Sequence, residues 1–191
     1  MGAKTDTRER MVVSAALMLR ERGVAGTTVS GVLEASGAPR GSVGFHFPGG
    51  RNELLTEALH LAGDSVSTLL RAAVEAGTPP ADVIRGIGEY YKHQLAETDF
   101  HAGCPVGAAA LDAYDDVDLG PVVAEVVDDW ASLLAQSMVK AGFDESAAAD
   151  AALVAISAIE GAIMISRVKR STDPIDLAVD LVVPLMPEPK N

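Results

Sequence analysis

Cysteine is almost absent from this chain. Among 191 residues there is one, Cys104, which excludes an intramolecular disulfide and a zinc site built from cysteines alone. Aromatic residues are also scarce, with four Phe, three Tyr and one Trp. Each ring offered for a binding cavity therefore competes with its use in a core. Long apolar runs are missing. The longest nearly apolar stretch, 151–166, is short for a bilayer and carries Glu160, so no membrane association is expected. Residues 1–10 are polar and lack a basic-then-apolar leader, which points to a cytoplasmic protein. No Gly-x-Ser-x-Gly, phosphate loop, dinucleotide glycine motif or zinc helix occurs, so no enzyme is expected.

Metal and cofactor signals are equally thin. His93 and His101 lie eight residues apart without a carboxylate pattern. Asp115, Asp116 and Asp118 lack the glycine and closing glutamate of a calcium loop. Neither a metal nor a cofactor is expected.

What is present in quantity is acid. The net charge is −12, yet residues 1–60 hold seven Lys or Arg against six Asp or Glu, so the remaining 131 residues carry −13. A polyanion is repelled by most of the chain and tolerated only near its start. The hydrophobic fraction of 48% excludes a disordered chain.

Helical periodicity runs throughout. Val12, Ala15, Ala16 and Leu19 share a face, with Thr5 or Asp6 expected to cap the start and Gly23 to end the helix. A short second helix from Thr27 or Thr28 buries Val29, Val32 and Leu33 and stops at Gly37. Pro39 is expected to open a third, ending near His46. Further helices are expected over 51–76, 81–97, 105–114, 123–142, 146–170 and 175–185. The fold class is all-α with about nine helices.

Residues 27–55 carry the most specific pattern. Two short helices joined by Ser36-Gly37-Ala38-Pro39 have the form of a helix-turn-helix, with Gly37 supplying the left-handed turn. The third helix presents small and polar groups, Arg40, Gly41, Ser42, Gly44 and His46. Such a face can enter a major groove closely, and Arg40 and Ser42 can bond base edges or phosphates. Thr27 and Thr28 start the second helix, where hydroxyls and free N–H groups suit a phosphate. Arg51, at the start of the fourth helix, is expected to clamp the backbone. Phe45 and Phe47 are read as core.

The order G-V-A-G-T-T-V-S, E-A-S-G-A-P-R-G-S-V-G-F-H-F and R-N-E-L-L-T-E-A-L resembles the amino-terminal domain of TetR-family transcriptional repressors, over about residues 8–60. The P-G-G after Phe47 and G-C-P-V-G at 103–107 resemble the subgroup of lincomycin-responsive and flavonoid-responsive (LmrA/YxaF-like) repressors. The resemblance implies a helix-turn-helix DNA-binding domain at 1–50. It implies an effector-binding and dimerisation domain at 51–191, and a homodimer through the last two long helices. It places Thr28, Arg40, Ser42, His46 and Arg51 on DNA. It also implies a repressor that binds a near-palindromic operator in double-stranded DNA and is released by a small-molecule effector. One departure is Gly44, where the family usually has a tyrosine. With Gly41 it lowers helix propensity by about 1 kcal/mol per glycine.

Within the larger domain, Tyr90, Tyr91, Phe100, Trp130 and Met164 are candidates for a mostly apolar effector pocket. Cys104 is read either as inert packing or as a thiol sensor. Glu160 sits in an otherwise apolar helix; it faces the pocket, pairs with Arg85, or meets a partner subunit. Two alternatives to a repressor stand beside this reading, a helical adaptor and a small-molecule-processing enzyme, each with a vestigial DNA-binding domain. Effector, operator, target genes and the sign of regulation are not legible.

Overall fold

The computed structural model describes the backbone of residues 2–186 and the side chains of 6–186. Among the described residues there are nine α-helices and no strand. They are α1 (Gly2–Gly26), α2 (Val29–Ser36), α3 (Ser42–His46), α4 (Gly50–Ala76), α5 (Pro80–Glu97), α6 (Pro105–Asp112), α7 (Leu119–Lys140), α8 (Glu145–Lys169) and α9 (Asp173–Val182), followed by a 3-10 turn, Val183–Leu185. The helices form two compact units, and neither is a single stretch of chain. The first comprises Met1–Asp64 with Cys104–Val126, the second Ser65–Gly103 with Val127–Asn191.

The first unit is built around α1. Met11, Ala15 and Leu19 are fully buried, with Val12 and Met18 beside them; the spacing of three, four and seven is what aligns a stripe on a helix. Helices α6 and α2 both pack against α1. Phe47, Leu54, Leu55, Ala58 and Leu59 complete this core. Each fully buried large side chain stabilises the fold by about 1.5–3 kcal/mol. Arg8 pairs with Glu57 and covers the face of Phe47.

Two expectations are tested at the ends of α1 and one at α3. Helix α1 begins upstream of Asp6, whereas at Gly23 the backbone leaves helical geometry (φ 68°, ψ −172°) as expected of its end, and one further turn reaches Gly26. Thr5, the other expected cap, has a side chain outside the described residues. Pro39 does not open α3: its carbonyl accepts Ser42 N at 3.1 Å, closing a turn, and Gly41 is the N-cap at φ 85°. That left-handed φ costs a residue with a Cβ but not glycine. The turn after α2 follows expectation, with Gly37 at φ 65° and Ala38 N bonded to Leu33 O.

The second unit packs α8 and α9 together and sets α5 against both. Along α8, Ala148, Ala152, Ala155, Ile159, Ala162 and Ile163 are buried, a face narrow enough for close approach. Gly88 admits α9, because a Cβ there would stand 2.7 Å from Val179 Cγ2. Lys92 ties α5 to α9 through Asp176 at 2.7 Å, and that hydrogen-bonded contact raises the lysine's pKa. Asp144 caps α8 by accepting Ser146 N and Ala147 N at 3.0 and 3.2 Å.

The opposite face of α8 exposes Leu153, Val154, Ile165 and Val168, and α9 exposes Leu177 and Leu181. By length and composition α8 does qualify to cross a bilayer, contrary to the expectation from 151–166, because the helix is 25 residues long.

Candidate DNA-reading head and ligand cavity

The head presents Arg40, Gly41, Gly44 and Phe45 to solvent, with Ser42 and His46 half-buried. Arg40 makes no ion pair among the described residues, so its guanidinium is available to a base edge or a phosphate. Gly44 faces open space: a Cβ there would meet nothing within 4 Å. Thr28 is exposed as the N-cap of α2, its hydroxyl accepting Gly31 N at 3.1 Å. Val43 and Phe47, both buried, hold α3 down.

Three sequence-derived assignments are corrected. Thr27 is fully buried and its hydroxyl donates to Gly23 O at 2.7 Å; it cannot meet a phosphate from there. Arg51 is turned inward. Its Nε donates to Thr27 O at 3.0 Å and its Nη2 to Val24 O, which binds the start of α4 to the α1–α2 junction. Phe45, read as core, is 64% exposed and stands edge-on to His46 with ring centroids 4.9 Å apart. A short helix buries only one side, and Val43 and Phe47 occupy it.

Asp112 is a head residue that sequence reasoning missed. Its two oxygens accept Val24 N at 3.1 Å and Ala25 N at 2.8 Å, just after the kink at Gly23. Two donors freed by the kink are thus satisfied from α6 by a charged acceptor. Nothing in the local sequence marks that carboxylate, because its partners lie 88 and 87 positions away.

In the second unit, Val66, Leu70, Ile84, Tyr91, Trp130 and Leu134 line a cavity together with Ile159 and Glu160 of α8. Its free space is about 30 Å³, enough for about two waters. Of the expected ligand residues, the cavity gathers Tyr91, Trp130 and Glu160. Tyr90 points elsewhere and is 39% exposed. Phe100 lies under the Arg170 guanidinium, which also pairs with Asp99 at 2.5 Å and lowers that carboxyl's pKa. Cys104 belongs to the first unit and is the N-cap of α6, its buried sulfur accepting Gly107 N at 3.5 Å. Met164 is half-buried and outside the lining. Arg85 pairs with Asp82 at 2.8 Å, not with Glu160.

Residues 80–180 match the family model for the carboxy-terminal domain of LmrA/YxaF-like transcriptional regulators. A helix-turn-helix transcriptional regulator of Mycobacterium tuberculosis is 44% identical over 176 residues, covering 89% of each chain. The chain belongs to the TetR family of transcriptional regulators. LmrA of Bacillus subtilis is 30% identical over 171 residues, covering 89% of this chain and 91% of that one. Among solved structures, the TetR regulatory protein of Rhodobacter sphaeroides shares the fold with a TM-score of 0.81 at 19% identity, covering 93% of this chain and 98% of that one. A TetR regulator of Chloroflexus aurantiacus aligns with a TM-score of 0.76 at 26% identity over 96% of both chains.

TetR-family proteins are regulators, not enzymes. They bind DNA and typically dimerise. For this TetR-family chain the exposed face of α3 is thereby set in context: small and polar groups lead, and Phe45 stands at their edge.

Proposed function

We propose that this TetR-family regulator is a cytoplasmic repressor. It binds a near-palindromic operator as a homodimer and is released by a small, mostly apolar effector. The observation that carries the reading is the outward face of α3 and the turn before it, where Arg40 is unpaired among the described residues and Gly41, Ser42 and Gly44 leave room for a groove wall. Arg40 and Ser42 are the reading groups, with Thr28 on a phosphate and Phe45 against a thymine methyl. His46 orients Phe45 through their edge contact.

The unpartnered apolar faces of α8 and α9 support dimerisation through those helices. A two-fold pair of heads spaced about 34–36 Å apart would read adjacent turns of B-DNA.

The effector site is the cavity beside Tyr91 and Trp130, with Glu160 the acceptor for a polar end. Room for water alone means that a larger molecule must spread the lining helices. Helix α4 supplies Val66 and Leu70 to that lining and Arg51 to the head. A ligand that favours the spread form draws the population away from the DNA-binding one by its difference in affinity.

The test is a mobility-shift titration on DNA upstream of the protein's own gene and its neighbours. A specific shift that Arg40→Ala with Ser42→Ala removes, while the dimer persists, supports the reading. Binding that survives the double substitution contradicts it.

A further inference from the structure

The carboxyl ends of α4 and α7 and the start of α5 flank a second cavity, open to solvent at Gly77 and Lys140, within the second unit and sharing no lining residue with the proposed effector cavity. Its volume is about 240 Å³ against about 30 Å³ for the other. Ser137 is among its lining residues and only 5% exposed, and its Oγ has almost no accessible surface and no hydrogen-bond partner among the described residues. A serine inside a helix normally turns its hydroxyl back to its own helix or out to water. An orphaned buried hydroxyl costs free energy until something bonds it.

Lys140 lies one turn further along α7 and carries the only charge in the lining. Its Nζ donates to Val74 O at 3.1 Å, which leaves two ammonium protons. Thr78 contributes a second hydroxyl. The amino end of α5, which begins at Pro80, adds positive dipole potential. The acid of that first turn, Asp82, is already paired with Arg85. Val74, Pro79 and Pro80 supply hydrocarbon walls. In a chain of net charge −12, this cavity is a local positive exception.

We propose that this cavity binds a small organic monocarboxylate. The carboxylate bonds Lys140 Nζ and, as a small movement of the lining uncovers it, Ser137 Oγ, and the hydrocarbon part lies against Val74 and the two prolines. One cation matches one negative charge, and the apolar walls disfavour heavily hydrated phosphate or sulfate. Such a ligand bridges α4 to α7 and stabilises the folded state independently of any effector beside Trp130.

The experiment is calorimetric titration of the full chain with benzoate and with butyrate, using benzamide and butyramide as uncharged controls. The acids are expected to bind and the amides not. Lys140→Met and Ser137→Ala are each expected to weaken the acids about tenfold, the loss of one charge-assisted hydrogen bond. Without ligand, Ser137→Ala is expected to melt no lower than the parent protein, since it removes an unpaired hydroxyl. That combination separates lost binding from damaged folding. The proposal is overturned by acids that fail to bind. It is overturned equally by amides that bind as well, by phosphate that displaces benzoate, or by benzoate affinity unchanged in both variants. Should Glu160→Gln remove binding while Lys140→Met does not, the acid occupies the other cavity and the proposal fails.

Discussion

Asp112 accepts the backbone N–H of Ala25 at 2.8 Å, and the adjacent N–H of Val24 at 3.1 Å, so α6 caps the turn that starts after the helical break at Gly23. Side chain and amides lie far apart in the chain yet within the same compact unit. Losing an N-cap acceptor of this kind costs about 1 kcal/mol. Asp112→Ala is expected to lower the unfolding free energy by that amount, with increased amide exchange at Val24 and Ala25. Unchanged exchange at both would contradict the capping role.

Arg40 and Arg51 are expected to separate cleanly. Arg40→Ala should leave the melting temperature unchanged, weaken operator binding, and reduce the salt slope of log K by about 0.9 for each phosphate no longer neutralised. Arg51→Ala should destabilise the head by about 2 kcal/mol, because two hydrogen bonds from a charged donor disappear. Melting curves together with binding isotherms at several salt concentrations check both. A full melting temperature in Arg51→Ala would mean that its bonds to Thr27 and Val24 contribute nothing.

Trp130 is the only tryptophan in the chain and lines the proposed effector cavity, so its fluorescence reports directly on occupancy. An apolar effector is expected to shift and quench that emission. Leu134→Phe, which fills space in the same lining, is expected to weaken the effector while leaving operator affinity within about twofold, a change of about 0.4 kcal/mol. An equally strong response in Leu134→Phe would place the effector elsewhere.

The proposed dimer carries a prediction of its own. Val168 on α8 and Leu181 on α9 are exposed in the single chain. Burying each apolar side chain at an interface is worth about 1.5–3 kcal/mol. Val168→Glu with Leu181→Glu should therefore give a folded monomer by light scattering. Operator affinity should fall in parallel, as each half-site then binds alone. A persistent dimer would assign the interface to other surfaces.

Asp116 accepts Leu119 N at 3.0 Å and Asp118 N at 2.9 Å, and these backbone bonds, that of Leu119 foremost, hold its carboxyl below the ordinary 3.8. A depressed carboxylate stabilises the fold at all pH values above its unfolded pKa. That contribution disappears as pH falls through the lower folded value. NMR titration should place the Asp116 midpoint under 3.8, with protection of the Leu119 amide declining over the same range. A midpoint at or above that value would mean that Asp116 does not cap the start of α7.

Much of the architecture was legible from local chemistry. The apolar stripe through Ala15 and Leu19 and the left-handed turn at Gly37 each act within a few residues. Helix spacing and φ preference report on that scale. The resemblance over about residues 8–60 implied the DNA-facing positions, of which Arg51 is turned inward. What stayed hidden were choices between equivalent local options. Tyr90 and Tyr91 are neighbours on one helix, about 100° apart around its axis, so one enters the cavity and the other faces outward. Phe45 and Phe47 divide in the same way.

Composition and periodicity alone therefore determined an all-helical chain with a near-neutral beginning and an acidic remainder, while it was the family resemblance of its first helices that implied a head for DNA. Tertiary structure decided that Arg51 turns inward, that Thr27 is buried, that Asp112 holds α1, and that Ser137 is left with an unpaired hydroxyl beside Lys140. The reason is physical. Helix formation depends on residues three or four positions apart, whereas those hydrogen bonds and cavities depend on groups brought together from distant parts of the chain by burial.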